Sequence, residues 1–189
     1  MIAETGLAAL WLAAALAAFQ FVLMIVALRS GAEVRRAMRS VAIVQGALTL
    51  IAFAMLITVF ARSDMSVALV FENSNSAKPF IYKIAGTWGN HEGSMLMWVT
   101  ILAVAGAFVA LLSHRTSERT LVAALGAQAV LALGFYAFLL FASNPFARLW
   151  PAPPDGEGLN PLLQDPGLAF HPPTLYLGYV LWKLRSDAK

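Results

Sequence analysis

The chain has 189 residues, 60% of them hydrophobic and 12% charged, and its mean hydropathy is +0.73. A charged share of roughly half the usual ~25% excludes an ordinary soluble domain and points to a membrane protein. The net charge of +3 lies in the connections between apolar runs rather than on a basic face with interleaved aromatics, so nucleic acid is not an expected partner.

The first apolar run, 6–28, is broken only by Gln20 and is long enough to span a hydrocarbon core of about 30 Å. No basic residue precedes it, which argues against a cleaved signal peptide. Arg29, Arg35, Arg36 and Arg39 follow it, and a second run covers 41–61. The third and fourth runs, 94–112 and 121–142, flank a second basic turn containing His114, Arg115 and Arg119. Basic turns favour the cytoplasm, so the predicted topology puts the N-terminus outside, with external loops at 63–93 and 143–170. The fold class is therefore all-α: a polytopic helical membrane protein with four transmembrane helices.

Within the first loop, Val67 to Phe71 alternates weakly and reads as a short strand, and Phe80 to Trp88 reads as an interfacial segment. The second loop is rich in proline and glycine. A fifth apolar helix is predicted over 174–182, under half a bilayer in length, followed by an atypical charged tail at 183–189. A span that stops in charge at that depth marks residues 1–182 as the membrane region of a truncated chain. Gln20, Gln45, Thr49, Thr58 and Gln128 are expected to hydrogen-bond between helices. Alanines recur four apart at 13/17, 14/18, 103/107 and 123/127; this spacing allows close helix approach, although alanine is simply common here.

No cysteine is present, which removes disulfides, thiolate metal sites and thiol catalysis. No nucleophile–base pair, phosphate loop or paired carboxylate is visible either. Two constellations remain. In the first, Pro172 pushes His171 towards an extended backbone, while Pro172 and Pro173 suit the first positions of a helix. His171 is then either a ligand at a helix mouth or a structural cap. The second, Trp88-Gly89-Asn90-His91-Glu92-Gly93-Ser94, opens the third span. It reads either as a glycine-flanked helix start, with Glu92 at the positive helix end, or as part of a partner or cofactor surface. Adjacent His91 and Glu92 do not face one point on a regular helix. Asn144-Pro145-Phe146 and Asp165-Pro166 read as turns.

The motifs Trp88-Gly-x-His-Glu-Gly-Ser94, Ser143-Asn-Pro-Phe146 and the long stretch from Leu159 through Phe170-His171-Pro172-Pro173 to Tyr176, Tyr179 and Val180 closely resemble the N-terminal part of the CcmF family. The resemblance covers roughly residues 1–180. It implies a multi-pass protein of the bacterial inner membrane, with its N-terminus periplasmic, acting in cytochrome c-type biogenesis as a haem lyase subunit. It implies b-type haem as cofactor, a CcmE haem chaperone, a CcmH-type subunit that presents apocytochrome c, and apocytochrome c itself as partners. His171 matches the family's first periplasmic haem-ligating histidine, so it is the expected axial ligand; no other metal site is expected. Trp88, Gly89, His91, Glu92, Gly93, Pro172, Pro173, Tyr176 and Tyr179 belong to the motifs without an assigned role. The family's tryptophan-rich loop and its other histidines have no counterpart in this chain, so a fragment inactive by itself is expected. A membrane transporter or respiratory-complex subunit, and a non-functional structural remnant, are the alternative readings.

Overall fold

Where no water reaches the backbone, a helix satisfies its own amides and carbonyls, and the four long apolar runs take that form. The computed structural model describes residues 1–27, 32–112, 117–158 and 164–186, without the side chains of Ala32, Glu33, Arg35, Leu168 and residues 179–186. His114, residues 159–163 of the long motif, the Tyr179 side chain and the tail 187–189 lie outside the described residues. The elements are α1 (Ile2–Ala27), α2 (Ala32–Ala61), α3 (Ala68–Asn73), α4 (Phe80–Gly86), α5 (His91–Leu112), α6 (Glu118–Phe141) and α7 (Pro166–Ser186). Among the described residues, four segments are long and apolar enough to cross a membrane: Ile2–Ala27, Arg36–Ala61, His91–Leu112 and Glu118–Phe141. Their outward faces carry Trp11, Phe19, Phe108 and Leu131, as expected for helices solvated by lipid.

Helix α1 packs on α2 and α6, α2 on α5, and α5 on α6; α7 lies against α5 and α4. Small residues set two of these contacts. Ala13 and Ala17 are fully buried. A Cβ added at Gly46 would sit 2.9 Å from Ala107 Cβ and 3.0 Å from the Ala103 carbonyl, so α2 and α5 touch nearly backbone to backbone there. The pairs 14/18 and 123/127 do not line a contact in the same way: Ala18, Ala123 and Ala127 are exposed.

Four of the five expected polar residues join helices. Gln20 Nε2 donates to the Leu125 carbonyl at 2.8 Å and to Gln128 Oε1 at 3.2 Å. Thr49 gives its one hydroxyl proton to the Gln45 carbonyl at 2.7 Å. The 2.6 Å contact between Thr49 and Tyr136 must therefore use the tyrosine proton, which leaves the Tyr136 oxygen to accept from Gln45 Nε2 at 3.4 Å. The result is a directional chain, Gln45 to Tyr136 to Thr49 and back to the Gln45 carbonyl. Thr58 differs: its hydroxyl donates to Ala54 of its own helix.

At the end of the bundle that carries the two long connections, these connections form one layer. The expected strand at Val67 to Phe71 is instead the short helix α3, with only an isolated bridge between Val67 and Arg148. A strand needs a partner along its length, and residues 142–158 supply only scattered bonds: Ala68 N to the Ala147 carbonyl at 2.9 Å, Leu149 N to Ser66 at 2.8 Å, and Glu157 N to Phe71 at 2.8 Å. The interfacial segment 80–88 forms α4, with Phe80 and Ile81 exposed. Arg148 fastens this layer to the bundle. Its guanidinium reaches Glu4 of α1, at 2.9 Å through Nε, Asp64 at 3.3 Å, and the Ser66 hydroxyl. Burial works to raise the Asp64 carboxyl, but the Ser66 hydrogen bonds and Arg148 outweigh it and hold Asp64 below its ordinary range. At the opposite end, Arg39 pairs with Glu118 at 3.0 Å.

Lys78 is nearly enclosed in the loop layer, 7% exposed, and its Nζ donates to the Asn73 carbonyl at the end of α3 at 2.9 Å. Burial, reinforced by the Lys83 charge, lowers its pKa from 10.5 to about 8.

Two outcomes follow from these contacts. Tyr136→Phe strands the Gln45 amide and removes the donor to Thr49; it should cost about 1 kcal/mol, read as a lower unfolding temperature in detergent. For Lys78 the folded state holds fewer protons than the unfolded chain between about pH 8 and the ordinary lysine value, so stability rises with pH across that window. The unfolding temperature should therefore climb between pH 8 and 10 in the parent and stay comparatively flat in Lys78→Met; parallel profiles would refute the buried ammonium.

Candidate functional site

The two constellations meet in space. A cleft of about 380 Å³ opens between the α4–α5 turn and the first turns of α7, lined by Ala85, Trp88, Gly89, Asn90, His91, Ser94, Ala169, Pro172 and Tyr176. Small residues floor it and aromatic rings wall it. Behind Tyr176 stands Trp98, their ring centroids 4.2 Å apart with planes tilted at 43°.

The sharp turn from α4 into α5 depends on Asn90 and Gly93. Asn90 Oδ1 accepts from the Gly93 amide at 2.7 Å, the N-cap bond of α5, while its Nδ2 donates to the Gly86 carbonyl at the end of α4 at 2.7 Å. One side chain thus closes one helix and opens the next. A Cβ at position 93 would lie 1.6 Å from the Thr87 carbonyl, so only glycine lets the two helices turn this closely.

His91 and Glu92, expected to diverge, both approach one hydroxyl. Ser143 Oγ donates to Glu92 Oε1 at 3.0 Å and stands 3.4 Å from His91 Nδ1. Residues in the first turn of a helix lack the crowding of a preceding turn, and Ser143, arriving from the end of α6, fits between them. With the Ser143 proton committed to Glu92, the His91 contact requires Nδ1–H as donor. The His91 ring also packs edge-on against Phe138, centroids 5.3 Å apart. Ser143 was legible only as the first residue of the Ser143-Asn-Pro-Phe146 motif, because its partners lie 51 and 52 positions away.

The long motif takes a form different from the expected one. Helix α7 starts at Pro166, not Thr174, and both Pro172 and Pro173 lie inside it. Asp165-Pro166 opens a helix rather than a turn: Pro166 occupies the first helical position, and the Ala169 amide bonds the Asp165 carbonyl at 2.9 Å. His171 is accordingly helical, not extended. The preference of a residue before proline for extended backbone is overridden by the docking of α7, and the carbonyl that both prolines leave without a helical donor finds another. Ala169 O, which neither Pro172 nor Pro173 can serve, accepts the Trp88 indole N–H at 2.8 Å. Phe170 O takes the Thr174 hydroxyl at 3.0 Å, and the same hydroxyl lies 3.0 Å from the His171 carbonyl.

The structure thus brings together Trp88, Gly89, His91, Pro172 and Tyr176. Glu92 and Gly93 support that cleft from behind, and Pro173 faces an apolar hollow beside Leu50, Phe53 and Phe108. His171 is separate: it is exposed on α7 and does not line the cleft. Among the described residues no cluster of three metal-ligating side chains forms.

Comparison with known proteins bears directly on these elements. A family profile described as cytochrome C assembly protein matches residues 88–186, from Trp88 through α7. The cytochrome c-type biogenesis protein ccl1 of Rhodobacter capsulatus is 50% identical over 181 residues, covering 95% of this chain and 28% of that protein. The biogenesis protein CycK of Rhizobium meliloti is likewise 50% identical over 181 residues, covering 27% of its own length. CcmF of Pseudomonas aeruginosa is 46% identical over 182 residues and 28% covered. A solved structure of the cytochrome c haem lyase CcmF superposes with a TM-score of 0.81 over 95% of this chain and 28% of its own, at 21% identity, which establishes a shared fold. The chain therefore spans a little over a quarter of the length of the curated relatives it matches, and it belongs to the cytochrome c assembly protein family.

Proposed function

We propose that this segment takes part in cytochrome c maturation by holding haem at the loop-bearing, periplasmic end of the bundle, with His171 as one axial ligand to the iron. The observation that carries this reading is an imidazole left exposed on a helix whose opposite side is docked to the bundle. The fit to haem is that of one half of a site. His171 offers one imidazole, and Phe170 beside it is 54% exposed, giving an apolar surface for a flat macrocycle. A further ligand would complete such a site. When bound, the haem supplies the vinyl groups to which apocytochrome thiols add. That chemistry needs no cysteine from this chain, and the chain has none.

The role of the chain's own residues is binding and orientation. The His171 imidazole would ligate the iron through one ring nitrogen, and its position is set by the docking of α7. A CcmE-type chaperone delivering haem, a CcmH-type subunit and apocytochrome c are the partners this reading entails, and b-type haem is the form held. The orientation, with α1 starting in the periplasm, follows from the arginine-bearing turns at the other end of the bundle.

The test uses the full-length protein containing this segment. His171→Ala should lower the haem absorbance per protein severalfold and reduce holocytochrome c formation at least as much. Normal haem content with normal maturation in that variant would show that His171 is structural.

A further inference from the structure

We propose that Trp88 is a positioning residue for His171: its indole N–H holds the one carbonyl that the proline pair deprives of every helical partner, and so fixes the rotation of α7 about its axis. This rests on the reading of His171 as an iron ligand.

In a regular helix the Ala169 carbonyl would accept from residue 173, or from residue 172 where the turn tightens to a 3₁₀ form. Both positions are proline and have no N–H to give. A carbonyl at the membrane edge without a partner is costly, and Ala169 is buried, 4% exposed, so water does not relieve it. Trp88 Nε1 fills the vacancy at 2.8 Å across 81 positions of sequence. The bond is directional, unlike the ring contact between Trp98 and Tyr176 two turns further along the same face.

Geometry links this bond to the histidine. At about 100° per residue, Ala169, Pro172, Pro173 and Tyr176 share the docked side of α7, and His171 falls on the far side. Rotating α7 without the Trp88 bond would swing His171 sideways relative to the bundle, while leaving its chemistry intact. Trp88 in turn is held by the two hydrogen bonds of the Asn90 side chain and by the close turn at Gly93, so the clamp is anchored to α4 and α5 together.

Pro173 makes the proposal separable from general packing. Trp88→Phe keeps an aromatic ring and removes only the donor. Pro173→Ala returns a backbone N–H to the Ala169 carbonyl and should make the indole donor dispensable. In the full-length protein, Trp88→Phe is expected to speed hydrogen exchange of the α7 amides roughly tenfold, the loss of one hydrogen bond. It should also shift the low-spin electron paramagnetic resonance g-values of the His171-bound haem. Both changes should shrink to near nothing when Pro173→Ala is already present. Equal effects of Trp88→Phe in the two backgrounds, or no effect in either, would overturn the proposal, since ring packing would then account for the contact. His171→Ala separates the two claims. If His171→Ala alters the haem signal and Trp88→Phe does not, positioning by Trp88 is wrong while the ligand stands. If neither alters it, His171 is not a ligand, and the proposal falls with that reading.

Discussion

A carbonyl stripped of its helical donor at the edge of a membrane must find another, and around one such carbonyl this site is arranged. Two consecutive prolines inside α7 would ordinarily break or bend a helix. Here the helix continues, and the Trp88 indole replaces the donor that the Ala169 carbonyl lacks. The replacement ties α7 to the α4–α5 turn, and that turn is closed by Asn90 and made possible by Gly93. Removal of any one of these residues loosens the others, since each acts through a bond made by its neighbour.

The bundle beneath rests on a different balance. Its helices are apolar on all sides, so hydrophobicity alone gives them no preferred face. Register comes instead from close approach at Gly46 and from the two hydrogen-bonded groups, Gln20 with Gln128 and Gln45 with Thr49 and Tyr136. These groups are spaced along the helices. Sliding one helix past another would leave several polar atoms in hydrocarbon at once.

The four spans were legible because their hydropathy exceeds anything a short loop carries, and the polar residues within them, Thr58 excepted, announced their own partnership. The cleft was only partly legible. Its motifs could be picked out along the chain, but their meeting depends on contacts between residues 88 and 169 and between 92 and 143, which no local pattern encodes. Val67 to Phe71 misled because alternation describes a strand only when a neighbour runs alongside. Proline rules misled at His171 for the converse reason: they describe an isolated chain, and a tertiary donor changed the balance. The role of Ser143 left no local trace, since a serine between two turns is ordinary until both of its neighbours arrive.

The Arg148 clamp also constrains how the molecule is made. Glu4, Asp64 and Arg148 join the first residues of α1 to a connection that follows α6. During synthesis Glu4, at the start of α1, emerges long before Arg148, and three further helices are made before the guanidinium arrives. Insertion can therefore proceed helix by helix without an early commitment at that end. The loop layer can close only after the fourth span has brought both halves of the layer together.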